Sequence, residues 1–87
     1  MLVTVIDVRS EDEWNTGYLE GALHIEWHDI LQISTQISKD EQIYLYCRSG
    51  NRSEKATKIL LEAGFINAKN AGSINEASKL LGIEIIN

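Results

Sequence analysis

The sequence predicts an α/β fold of three layers, α/β/α, with helices on both faces of a small, mostly parallel sheet of four or five strands. Three observations lead there. Strand-like apolar segments alternate with helix-like ones along the chain. The opening segment, with Leu2, Val3, Val5, Ile6 and Val8, is a near-continuous apolar run, as expected of a parallel strand covered on both faces. The length of 87 residues suits one domain over 1–87, with no room for a second.

The elements follow in order. After a strand over 3–8, Ser10-Glu11-Asp12-Glu13 matches a capping box, in which the Ser10 hydroxyl and the Glu13 carboxylate satisfy free N–H groups at a helix start. That short helix runs to about Thr16 and Gly17 ends it. Gly21-Ala22-Leu23-His24-Ile25 reads as a turn followed by a short second strand. Ile30, Ile33 and Ile37 recur at helical spacing and predict an amphipathic helix over 29–37, with Lys39-Asp40-Glu41 as its solvated exit. Ile43, Tyr44, Leu45 and Tyr46 form a strand over 42–46. Ala56, Ile59, Leu60 and Ala63 mark the next helix, which Gly64 closes as a left-handed cap. Phe65, Ile66 and residues 67–71 suggest a weaker fourth strand. A last helix carries Ile74, Ala77, Leu80 and Leu81, and Ile83 to Ile86 form a tail or an edge strand. The chain shows no repeat, low-complexity tract or linker.

Composition narrows the partners. A hydrophobic fraction of 44% and a charged fraction of 24% are ordinary for a soluble globular protein. No apolar stretch approaches the roughly 20 residues of a membrane span. A net charge of -5 argues against nucleic acid or an anionic membrane as partner, because phosphates are normally met by a basic face. The single cysteine excludes an intramolecular disulfide and a multi-cysteine metal cluster. Because the chain enters a strand almost at once, it is expected either to lack a targeting segment or to have lost a signal peptide, with Met1 added.

The segment with most chemistry is Tyr46-Cys47-Arg48-Ser49-Gly50-Asn51-Arg52-Ser53. Its cysteine sits between a predicted strand and a predicted helix. A strand-to-helix turn leaves N–H groups without intrahelical partners, and their dipoles favour negative charge where Cys47 would sit. Arg48 and Arg52 add fixed positive charge. The Cys47 thiol is therefore expected to be exposed and to ionise below the free value of about 8.5, with the N–H groups of residues 48–52 ringed around it. Gly50 allows a left-handed backbone or close approach to a ligand. In parallel sheets, sites form at the carboxyl ends of strands, so Asp7-Val8-Arg9 and Cys47 are expected along one edge.

Each residue also has a plainer reading. Arg48 either meets substrate or points to water, and Arg52 either meets substrate or pairs with Glu54 or another helix-face carboxylate. Ser49 and Asn51 are also common turn residues. Asp7 and Arg9 read as a structural pair bracing the sheet edge. His24 and His28 are four apart, but the intervening Ile25-Glu26-Trp27 spans a strand end, so they are read as non-ligands and no metal is expected. Trp14, Trp27 and Phe65 read as packing residues.

Together these segments resemble the rhodanese family of sulfurtransferases. The matching pieces are Ile6-Asp7-Val8-Arg9 with Glu13-Trp14, Gly17 through Gly21-Ala22, and the loop Cys47 to Arg52. Behind them come the helix with Ala56 and Leu60, then Gly64-Phe65, then Asn70-Ala71-Gly72. The small size and the Asn-Ala-Gly ending look most like the single-domain, phage-shock-protein-E type. The resemblance implies a rhodanese-like domain and thiosulfate sulfurtransferase activity without a cofactor. It carries Cys47 over as the nucleophile and Arg48, Ser49, Gly50, Asn51 and Arg52 as the anion cradle. The implied donor is thiosulfate or another small sulfur donor, and the acceptor is cyanide or a thiol, including one on a partner protein. That type is commonly exported, which would place the chain in the periplasm if a signal peptide has been removed, and otherwise in the cytoplasm. The chain departs from the family at Tyr18, where His is frequent, at Glu26-Trp27 in place of a proline turn, and at Ser73 in place of a second glycine. It also lacks a tryptophan in the last helix.

Loop length separates two reactions. Four residues lie between Cys47 and Arg52, whereas cysteine phosphatases use five before their phosphate-gripping arginine. The tighter ring suits a sulfur atom better than a phosphoryl group, and sulfite, unlike an alkoxide, leaves without a general acid. The expected path is a double displacement through a Cys47 persulfide. The alternatives are a non-catalytic persulfide carrier or redox module, and a small-anion cysteine phosphatase or arsenate reductase.

Overall fold

The structure, a computed structural model, describes residues 3–87. The expected strand position of Leu2 lies outside them. Strand β1 (Val3–Asp7) is followed by helix α1 (Glu11–Trp14), then by two short strands, β2 (Tyr18–Leu19) and β3 (Leu23–His24). A 3-10 helix (Trp27–Thr35) leads to β4 (Gln42–Cys47), α2 (Asn51–Glu62), β5 (Ala68–Ser73), α3 (Ile74–Leu81) and β6 (Ile85–Ile86). The main sheet has four strands in the order β3-β1-β4-β5, every neighbour pair parallel. This is the α/β/α arrangement read from the sequence.

The two faces of the sheet are separated by the period-two alternation of β-strands. On one face, Ile6, Val8, Ile43, Leu45 and Cys47 pack with Ile30 and Ile33 of the 3-10 helix, Ala56 and Leu60 of α2, and Phe65. On the other, Val5, Tyr46 and Ala71 pack with Leu19, with Ala77 of α3, and with half-buried Ile74, Leu81 and Ile83. The near-continuous apolar run that begins in β1 thus serves both layers, Ile6 and Val8 facing one and Val5 the other.

Helix starts follow the expected chemistry. Ser10 accepts from the Glu13 N–H and the Glu13 carboxylate accepts from the Ser10 N–H, so the capping box forms, although α1 stops at Trp14 rather than Thr16. Gly64, just past α2, has φ of 97° and takes the left-handed position expected of it.

Four expectations change. The helix over 29–37 is a 3-10 helix over Trp27–Thr35. Trp27, Ile30 and Ile33 recur every three residues, which is the 3-10 period, and all three pack against the first core. The strand β2 was not expected. It pairs antiparallel with β6, so the carboxyl-terminal segment forms a separate two-stranded ribbon and does not extend the main sheet. Gly17 makes this possible: it has φ of 138°, and a Cβ there would lie 2.7 Å from Asn87 Oδ1. The weak fourth strand reaches Ser73, two residues further than expected. It carries a bulge in which Leu45 pairs with Asn70 and Tyr46 with Gly72, leaving Ala71 as the extra residue. Finally, Leu80 faces outward at 63% exposure, and Ala77 is the buried residue of α3.

Among the described residues, no helix is long and apolar enough to cross a membrane.

Candidate active site

Cys47 closes β4, and α2 begins four residues later with Gly50 as its N-cap at φ of 97°. The tight connection turns the first amides of α2 back toward the sulfur. The Gly50 N–H donates to Cys47 Sγ at 3.0 Å, and the Ser53 hydroxyl lies 3.4 Å from the same atom. Cys47 itself is 0% exposed, which corrects the expectation of an exposed thiol. The reason is alternation along β4: Ile43, Leu45 and Cys47 all face the layer covered by α2, so the sulfur lies beneath the helix terminus. Burial pushes the Cys47 thiol up. Hydrogen bonds from the Ser53 hydroxyl and from the backbone N–H groups of Ser53, Ser49 and Gly50 outweigh that, and hold it below the ordinary thiol value. The donors at the sulfur therefore come from residues 49, 50 and 53 rather than from the whole 48–52 run.

The two arginines separate. Arg52 is engaged away from the sulfur: its Nη1 donates to Glu13 Oε1 at 2.6 Å and its Nη2 to Glu13 Oε2 at 2.9 Å. The partner is neither Glu54 nor any other carboxylate of its own helix, but the residue that caps α1. Arg48 is exposed, and with Arg9, Asp12, Glu13 and Thr16 it lines a cleft of about 390 Å³ beside the loop. Ser49 and Asn51 are exposed on the loop surface.

Glu13 thus joins two elements. Its hydrogen bonds from Arg52 hold its carboxyl down to about 2 against the opposing effect of burial, with Ser10 assisting. A depressed carboxyl contributes stability that is present above its unfolded value of about 4.5 and is lost as pH falls toward 2. The pair is partly exposed, so solvent screening reduces its worth. Glu13→Gln is expected to cost about 1 kcal/mol at pH 7, and the gap from wild type should close in urea titrations repeated down to pH 2.

Asn70 belongs to the Asn70-Ala71-Gly72 segment, but its role emerges only in three dimensions. Its Oδ1 accepts from Ser53 Oγ at 2.6 Å and from the Gly72 N–H at 2.9 Å, while its Nδ2 donates to the Gly50 carbonyl at 3.1 Å. The β5 bulge places it there, tying the sheet edge to the cysteine loop. Ser53 and Asn70 are the site-adjacent residues that sequence reasoning left unassigned.

Asp7 and Arg9 form the buried pair expected at the end of β1. Arg9 Nε donates to both Asp7 oxygens at 3.0 Å, Nη2 to Oδ2 at 2.6 Å, and the Arg9 N–H to Oδ1 at 2.9 Å. Arg9 Nη2 also donates to the Gly17 carbonyl at 2.6 Å. Both β1 and β4 end on the same edge, where Asp7 pairs with Tyr46. His24 and His28 diverge: His24 Nε2 bonds the Arg9 carbonyl at 2.8 Å, while His28 lies beside Asp29. Trp14 stacks on Tyr18 with ring centroids 3.8 Å apart and on His24 at 5.0 Å.

A strand-end cysteine under a helix terminus, within a parallel sheet of this order, can be set beside known proteins. Residues 1–79 match the Rhodanese-like domain. The chain belongs to the rhodanese family. It is 34% identical over 87 aligned residues to the adenylyltransferase and sulfurtransferase UBA4 of Lodderomyces elongisporus, covering 87% of this chain and 19% of that protein. Thiosulfate sulfurtransferase 16, chloroplastic, of Arabidopsis thaliana is 31% identical over 77 residues, with 75% of this chain and 64% of that protein covered. The crystal structure of the Rhodanese_3-like domain of the Alr3790 protein from Anabaena superposes with a TM-score of 0.85 at 25% identity, over 99% of this chain and all of that one. This rhodanese chain therefore spans less than two thirds of the length of the two curated relatives, while matching the Anabaena domain end to end. The finer likeness to the phage-shock-protein-E type rests on the sequence resemblance alone.

Proposed function

We propose that this rhodanese domain is a thiosulfate sulfurtransferase in which Cys47 carries the sulfur as a persulfide. The observation that carries this reading is the environment of Cys47 Sγ: the Gly50 N–H at 3.0 Å, further donors around it, and a thiol held below its ordinary value. A thiolate stabilised by donors needs no neighbouring base. The names of the relatives, a thiosulfate sulfurtransferase and an adenylyltransferase and sulfurtransferase, support the same chemistry.

In the first step Cys47 Sγ forms a bond to the outer sulfur of thiosulfate. The sulfur–sulfur bond of the donor breaks, and sulfite leaves with the electron pair. Arg48, the exposed cation at the cleft beside the loop, draws the dianion in. Arg52 acts indirectly, fixing the loop through Glu13. In the second step cyanide or a thiolate, of a small molecule or of a partner protein, bonds to the outer sulfur and Cys47 leaves again as a thiolate. Because Cys47 is wholly covered, the loop must give way for the donor sulfur to reach it, which favours a small donor. The amides of residues 48–52 that do not bond Sγ are the groups available to the outer sulfur.

The test is the intact mass of the protein after incubation with thiosulfate. A gain of one sulfur, removed by cyanide with repeated thiocyanate release, is the expected result. Stoichiometric loading without turnover would make the chain a carrier instead. Phosphate release from an aryl phosphate, lost with Cys47, would make it a phosphatase. No mass gain from any sulfane donor would overturn sulfur handling altogether.

A further inference from the structure

We propose that Ser53 and Asn70 form a two-position hydrogen switch on Cys47: the single Ser53 hydroxyl hydrogen lies on Asn70 Oδ1 while the sulfur is uncharged, and turns to the sulfur when it carries charge. Ser53 is 0% exposed, and its Oγ stands 2.6 Å from Asn70 Oδ1 and 3.4 Å from Cys47 Sγ. A hydroxyl has one hydrogen to donate and two lone pairs to accept with, so it can donate to only one of these neighbours at a time.

Both orientations leave the network satisfied. With Cys47 protonated, the thiol donates to Ser53 Oγ and Ser53 donates to Asn70. With Cys47 ionised, the sulfur is an acceptor only, and a charged acceptor outcompetes the neutral amide oxygen for the hydrogen. Asn70 Oδ1 then keeps the Gly72 N–H at 2.9 Å, and its Nδ2 stays on the Gly50 carbonyl at 3.1 Å. Asn70 does not move in either state, because the bulge at Ala71 and these two backbone bonds fix it. No buried polar group is stranded by the turn, so its cost is small.

The switch follows charge through the proposed reaction. In the persulfide the charge resides on the outer sulfur and the hydrogen returns to Asn70. When the acceptor takes that sulfur, Cys47 becomes a thiolate again and receives the hydrogen as it leaves. Ser53 and Asn70 are thus positioning residues, with opposite effects on one thiol: Ser53 favours its ionisation and Asn70 opposes it by competing for the hydrogen. The switch rests on Cys47 being the working nucleophile proposed above.

The charged groups on the elements around the thiol include Arg52 on α2, which feels the cysteine's charge, its partner Glu13 on α1, the paired Asp7 and Arg9 at the end of β1, exposed Arg48 on the loop, exposed Lys69 on β5 and exposed Glu54 and Lys55 on α2. A cycle of Ser53→Ala, Asn70→Ala and the double variant leaves all of them in place. The thiol is titrated by ultraviolet absorbance of the thiolate and by the pH dependence of alkylation with iodoacetamide. Neither needs a sulfur donor, so failure of the switch and failure of sulfur loading are read separately. Ser53→Ala is expected to raise the midpoint by about one unit. Asn70→Ala is expected to lower it when Ser53 is present, relative to its effect when Ser53→Ala has already removed the hydroxyl. Loosening of Gly50 by loss of the Asn70 clamp is common to both backgrounds and cancels in the cycle. Asn70→Asp, which preserves shape, serves as a second variant and should raise the midpoint more with Ser53 present than without it. An unchanged thiol in Ser53→Ala, or equal effects of the Asn70 variants with and without Ser53, overturns the proposal.

Discussion

Replacing Cys47 by serine is expected to abolish thiocyanate formation from thiosulfate and cyanide, by a factor on the order of 10⁴ or more, while leaving the fold in place. The two halves of this result have different physical origins. A serine hydroxyl is not ionised near neutrality, and the donors arranged around the position stabilise an anion that serine does not supply. Hydrogen bonds from Gly50 and Ser53 cannot compensate, because their value to the reaction lies in the charge they hold. The fold half follows from size and polarity. Cys47 is wholly buried among Ile43, Leu45 and Ala56, yet serine is smaller and its oxygen finds the same two donors, so the stability change should stay within about 1 kcal/mol. Turnover and urea unfolding measured on one preparation separate the two. A serine variant that still turns over would remove Cys47 from the mechanism, and one that unfolds would leave the loss of activity without a chemical meaning.

What the sequence disclosed about this site is uneven for reasons that can be traced. The capping box at Ser10, the alternation of β4, the helix after Cys47 and the glycine at its end are local patterns, and local patterns survive in a single chain. The burial of the thiol is also legible, because Cys47 shares parity with Ile43 and Leu45, but the polar residues after it point the other way, toward exposure. Other features depend on residues that meet only after folding. Strand β2 exists through its pairing with Ile85–Ile86, more than sixty positions away, and two residues carry no periodicity. Glu13 already had a complete explanation as a cap, which hid its second bond to Arg52 across 39 positions. Ser53 and Asn70 meet because a bulge shifts the register of β5, and nothing in Asn70-Ala71-Gly72 signals a bulge beyond the glycine itself. Spacing alone also favoured an α-helix over 29–37, since Ile33 and Ile37 are four apart, while the three-residue step from Trp27 to Ile33 governed the packing.

Removing the guanidinium from Arg9 is expected to be the most damaging single change to stability. Asp7 is 0% exposed and Arg9 5%, so both side chains are withdrawn from water and each balances the charge of the other. The pair is joined by three side-chain bonds, and a fourth, from the Arg9 N–H, anchors the carboxylate to its own strand end. Burial opposes the charge on Arg9, but the bonds and the charge of Asp7 hold it firmly protonated. In Arg9→Ala the carboxylate, wholly buried in the native fold, loses its counter-charge, and breaking a buried pair in this way costs about 3–5 kcal/mol. The Gly17 carbonyl loses its donor in the same step. Native domains are stable by only about 5–15 kcal/mol, so a chain of this size should lose much of its margin. The midpoint in urea should fall accordingly. The physical cause is checked by Asp7→Asn/Arg9→Ala, in which no unpaired charge remains. That double variant should recover part of the loss, and if it is instead as unstable as the sum of its single changes, packing of the arginine stem rather than the stranded carboxylate is what the edge of the sheet depends on.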